Sequence, residues 1–130
     1  MFCFFGCSHG SNLRQTGDKD ITFQIVNISK NGTNQDISYG ARIIPSAVFK
    51  GADSKATKEN LMYRMDSCFY LQSGWKKIYP QLTQPVSNGL KNTFEYLLTF
   101  DMPSFEEDKW FFVYEDRYLN KKKYTLKLTD

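Results

Sequence analysis

Phe94-Glu95-Tyr96-Leu97-Leu98-Thr99-Phe100 is the stretch that decides the fold. Phe94, Tyr96, Leu98 and Phe100 recur at every second position, the spacing that puts successive side chains on opposite faces of a strand and one set of them on a core. The same alternation reappears on both sides. Downstream, Trp110 to Tyr114 reads as a second aromatic strand, and Tyr124, Leu126 and Leu128 as a third. Upstream, Ile21-Thr22-Phe23-Gln24-Ile25-Val26-Asn27-Ile28 alternates in the same way, and Asn31-Gly32 then turns the chain. Ser38 to Phe49 holds Tyr39, Ala41, Ile43, Ile44, Val48 and Phe49 around Pro45. A proline removes a ladder donor, so this stretch is expected to be a bent edge strand. Gly51 to Glu59 is expected to be a polar loop with one helical turn. Leu61 to Gln72 and Trp75 to Tyr79 flank Ser73-Gly74 as a tight hairpin, with Phe69 and Leu71 facing the core from one arm and Trp75 or Ile78 from the other. Pro80, Pro85 and Asn88-Gly89 read as connection.

This gives about seven half-buried strands, with turn signals about 8 to 20 residues apart, and such strands need a second sheet to cover their apolar faces. The expected fold is therefore all-β: a two-sheet β-sandwich, immunoglobulin-like or transthyretin-like, with one short helical turn. Composition agrees. The chain has 130 residues, 16% of them aromatic, with eleven Phe and eight Tyr. That length suits one domain with its own core, and the aromatic share suits pleated surfaces.

The residues available for chemistry are few. The single histidine, His9, lies outside the predicted fold, which removes histidine-dependent triads and dyads, and neither a phosphate loop nor a nucleophile elbow is present. The expected protein is not an enzyme and has no cofactor. Asp101, Glu106, Glu107 and Asp108 cluster in one loop without calcium-loop spacing, so they read as a solvated acidic loop rather than a metal site. Cys68, inside an apolar run, reads as a small core residue rather than a nucleophile. The net charge of +3 is spread along the chain, and Trp110, Phe111, Phe112 and Tyr114 fit a core better than a stacking platform, so no nucleic-acid partner is expected. One charged loop is left over: Glu115-Asp116-Arg117 beside Lys121, Lys122 and Lys123. It is expected to be a hairpin tip laced by weak internal ion pairs, and it is the candidate partner-binding loop.

The N-terminus carries the clearest functional signal. Met1-Phe2-Cys3-Phe4-Phe5-Gly6-Cys7 is apolar and ends in Gly-Cys, after which Ser8 to Lys19 turns polar. This resembles the end of a bacterial lipoprotein signal peptide. On that resemblance Gly6 precedes the cleaved bond and Cys7 is the lipidated first residue, while Phe4 and Phe5 stand where the family has Leu and a small residue. The expected organisation is 1–6 as a signal-peptide remnant, 7–20 as lipidated cysteine and flexible tether, and 21–130 as the sandwich, with the true start upstream of Met1. Stable anchoring needs two lipid signals, which a triacylated cysteine exceeds. A flexible tether of this length would hold the domain about 20 Å from the bilayer. The competing reading makes Phe2, Phe4 and Phe5 a core strand of a cytosolic protein.

A short anchored cysteine, a tether and a two-sheet domain together resemble the small outer-membrane lipoproteins of envelope-spanning machines, most nearly the type VI secretion (TssJ-like) lipoprotein family. The late segment Phe111-Phe112-Val113-Tyr114-Glu115-Asp116-Arg117, followed by Tyr124 to Leu128, is similar to a strand, Tyr-Arg-Asp-like residues and a final strand in that family. The resemblance implies a lipid-anchored scaffold on the periplasmic side of the outer membrane that holds a protein partner of an envelope-spanning complex. A periplasmic lipoprotein that binds a small ligand or inhibits a hydrolase is the alternative. A deep apolar pocket between the sheets would mark it.

Overall fold

The computed structural model describes residues 13–28, 36–47, 54–101 and 106–129. They form nine strands: β1 Leu13–Gly17, β2 Ile21–Asn27, β3 Asp36–Pro45, β4 Phe69–Ser73, β5 Lys76–Ile78, β6 Leu82–Val86, β7 Phe94–Asp101, β8 Phe111–Glu115 and β9 Lys123–Lys127. One helix, α1, spans Lys55–Tyr63, and a 3-10 turn spans Glu107–Lys109. One sheet has the order β1-β2-β3-β7-β6 and the other β5-β4-β8-β9. All pairings are antiparallel. The all-β two-sheet sandwich expected from the alternation is the fold observed.

The core lies between the two inner faces. Phe23, Tyr39, Tyr96, Leu98 and Phe100 from the larger sheet meet Phe69, Leu71, Phe112 and Tyr114 from the smaller one, all at most 1% exposed. Aromatic side chains dominate the contact. Phe112 lies 5.2 Å from Tyr39 and 5.9 Å from both Phe23 and Phe100, ring centre to ring centre, and Phe69 packs 5.2 Å from Tyr96 and 5.3 Å from Tyr114. These separations and their tilted, edge-on or offset-stacked angles are the favoured aromatic arrangements, each worth about 0.5–1.5 kcal/mol beyond burial.

Several expectations are corrected. Ser38 to Phe49 was expected at an edge, but β3 is the middle strand of its sheet, between β2 and β7. Pro45 is harmless there because it is the last residue of the strand, opposite Ile21. The expected strand from Leu61 to Gln72 begins only at Phe69. Before it lies α1, which starts where the Ser54 side chain accepts from the Thr57 amide at 3.0 Å and which is fixed to the core by Tyr96 Oη donating to the Leu61 carbonyl at 2.6 Å. The tight turn after Ser73 is present, with Gly74 at φ +62, a left-handed conformation that glycine adopts without strain. Ile78 packs against the core, whereas Trp75 is 97% exposed. Leu82–Val86, read as connection because of Pro85, is an edge strand, the one setting in a sheet that accepts an internal proline. Leu13–Gly17, assigned to the flexible tether, pairs with β2 in register Leu13↔Val26 to Gly17↔Thr22, so the folded unit starts before Ile21. Cys3, Cys7, His9, the Asn31-Gly32 turn, Val48 and Phe49 lie outside the described residues.

Candidate functional site

The charged loop between β8 and β9 is built around Asp116, which is 4% exposed. Its Oδ2 accepts from the backbone amides of Leu119 at 2.9 Å, Asn120 at 2.6 Å and Lys121 at 2.6 Å, and its Oδ1 from the Tyr114 hydroxyl. A buried carboxylate is tolerable only when donors satisfy it, and here backbone amides and a phenol do so. Lys121 has φ +61, a strained conformation for a side-chain-bearing residue that aims its amide at Asp116. The expectation of internal ion pairs is corrected: Asp116 organises the loop through hydrogen bonds, and Glu115 accepts from the Tyr70 hydroxyl at 2.9 Å. Burial, followed by that bond to Glu115, pushes the Tyr70 phenol up to about 12.

The ion pairs of Lys122 reach across to the other sheet. Lys122 Nζ lies 3.1 Å from Asp18 and 3.4 Å from Asp20, both in the β1–β2 turn, and the Tyr124 hydroxyl is 3.1 Å from each Asp18 carboxylate oxygen. Burial pulls the Asp18 carboxyl upward. The amides of Asp20 and Ile21, the Lys122 ammonium and the Tyr124 hydroxyl outweigh it and hold the pKa at about 2. The structure thus brings Asp116 and Lys122 into one polar network with Asp18 and Asp20 through Asn120 and Tyr124, while Glu115 stands apart on Tyr70. Arg117, Lys121 and Lys123 present exposed side chains around it. Asp18 and Asp20 were missed because they stood in the presumed tether. The signal was an Asp-Lys-Asp turn directly before an alternating strand.

The remaining candidates can be placed in turn. Cys68 is fully buried, and burial pushes its thiol up to about 11, which suits a core residue. Phe112 and Tyr114 lie in the core, Phe111 is exposed and Trp110 is half-buried. Glu106 pairs with Lys109 at 2.9 Å, and Asp101 and Asp108 are exposed. Among the described residues no group of three or more His, Cys, Asp or Glu is arranged to hold a metal ion. None of the described helices is long and apolar enough to cross a membrane.

Where β6 and the start of β7 meet α1, a hollow of about 210 Å³ is lined by residues including Leu61, Met62, Val86, Leu90, Glu95 and Tyr96. Glu95 is 2% exposed and is held by Arg42 at 3.1 Å and Asn88 at 3.1 Å. The hollow is smaller than the roughly 300–1,000 Å³ of a typical small-molecule site. No family model, curated protein or solved structure matches the chain.

Proposed function

We propose that this protein is a passive adaptor: a sandwich held at the periplasmic face of a bacterial outer membrane through lipid on Cys7, acting by position rather than by catalysis. It would serve as a structural component of an envelope-spanning secretion assembly of the type VI kind. The observation that supports the reading best is the filled interior. Aromatic rings occupy the space between the sheets, where a ligand-binding relative of this architecture would keep a pocket. A solid core leaves the loops and edges as the working surfaces. Of these, the Asp116-centred loop is pre-shaped by its own hydrogen bonds and would meet a protein partner at little ordering cost. Glu115, Arg117, Lys121, Lys122 and Lys123 are the residues assigned to that contact. The test is fractionation of the native host carrying either the wild-type gene or its Cys7→Ala variant. Wild-type protein is expected in the outer-membrane pellet and the variant in the soluble fraction; wild-type protein found in the soluble fraction would refute the reading.

A further inference from the structure

The β4–β5 hairpin ends in an indole with almost no protein around it. Trp75 is 97% exposed, directly after Gly74, and Lys76 and Lys77 beside it are exposed as well. The tip is not loosely built. Ser73 pairs with Lys76, Gln72 Nε2 donates to the Gly74 carbonyl at 3.1 Å, and Lys77 Nζ sits 4.7 Å over the Tyr70 ring. The paired hairpin therefore presents a large amphipathic ring next to Lys76, with the Lys77 ammonium behind it over Tyr70.

Strand register fixes which end of the sandwich this is. Gln72 lies opposite Phe111, and Phe111 opposite Lys127, so the hairpin tip shares an end with the close of β9. The opening of β9 is at the other end, where Lys122 and Tyr124 meet Asp18 just after β1. Strand β1 runs alongside β9. Its first residue, Leu13, is therefore at the Trp75 end. A trans chain spans at most about 3.3–3.6 Å per residue, so Leu13 cannot lie farther than about 20 Å from Cys7.

We propose that the Trp75-Lys76-Lys77 tip is a second membrane contact, seated on an anionic phospholipid surface beside the anchor. This inference rests on the Cys7 anchor proposed above. Tryptophan favours the headgroup region, where its ring is apolar and its N–H stays wet, and lysines are drawn to anionic lipid. Two lysines and one indole bind weakly in solution, but a short link to the bilayer makes the second contact intramolecular and effective. Asp36 and Asp101 pair with each other at the same end on the other sheet, so the domain would tilt its smaller sheet toward the lipid.

The test couples the full chain, carrying Cys3→Ser, through Cys7 to maleimide-bearing lipid in vesicles, and so does not depend on native acylation. The emission of Trp75 is taken as the difference from a Trp75→Phe chain. With phosphatidylglycerol vesicles carrying a headgroup nitroxide, Trp75 is expected to shift to the blue and lose more than half its emission. Lys76→Glu with Lys77→Glu, both at exposed positions, is expected to abolish most of that loss. Unchanged Trp75 emission on these vesicles overturns the proposal, as does equal quenching of the wild-type and Glu-substituted chains. Either result leaves the anchor itself standing, because acylation of Cys7 is read separately from the mass of the native protein.

Discussion

Asp116 shows how a single side chain can shape a surface loop. One oxygen collects three backbone amides and the other a phenol. In Asp116→Ala those amides lose their acceptor, which at about 1–3 kcal/mol for a buried unsatisfied group should lower unfolding stability by about 3 kcal/mol in urea melts. Asp116→Asn keeps one carbonyl oxygen for the amides, and its NH₂ can donate to the Tyr114 hydroxyl, so about 1 kcal/mol is expected. Equal losses in the two variants would show that charge rather than acceptor geometry holds the loop. The sequence marked this loop as charged and exposed, but it could not mark Asp116 as buried. Nothing in Glu-Asp-Arg distinguishes a carboxylate facing solvent from one turned onto the amides of its own loop.

Among the elements, the strands with unbroken alternation were legible and the edge strands were not. β2 and β7 each bury one face on the core, and their apolar periods announce it. β1 and β6 lie at the two edges of the larger sheet and bury little, so Leu-Arg-Gln-Thr-Gly looked like tether and the proline of Leu-Thr-Gln-Pro-Val looked like a break. Their place is set by backbone pairing, which leaves no apolar signature. α1 was under-read for a similar reason: it buries Leu61 alone among its residues. The β1 pairing has a specific weak point in Gly17, where an added Cβ would lie 2.5 Å from the Ile21 carbonyl oxygen and 3.0 Å from Thr22 Cα. Gly17→Ala should therefore cost about 1–3 kcal/mol and speed amide exchange along Leu13–Gly17; unaltered exchange there would remove β1 from the fold's necessary parts. The adjoining turn adds a pH dependence. Asp18 has a folded pKa of about 2 against an ordinary 3.8, so its contribution is complete above 3.8 and is lost as pH falls toward 2. Asp18→Asn should flatten that part of a stability-against-pH curve measured by denaturant melts, with its effect small in high salt because the pair with Lys122 is partly exposed.

At the scale of the molecule, the proposed adaptor role starts from the aromatic rings that fill the space between the two sheets. Phe112 touches rings from both sheets, and its removal should leave a cavity that neighbouring aromatic rings cannot collapse into. Phe112→Ala is expected to cost about 3–5 kcal/mol by calorimetry or urea melts. A loss below about 1 kcal/mol would mean the sheets were not tightly apposed, and the ligand-binding alternative would regain ground. In the proposed role the sandwich would act through where it is held and what its loops and tips meet, so attachment at Cys7 is the point to test. Intact mass spectrometry of the protein purified from its native host with detergent tests it most directly. The account predicts a chain beginning at Cys7 and carrying a thioether-linked diacylglyceryl group with a further acyl chain on its amine; a mature chain with an unmodified Cys7 thiol would contradict it.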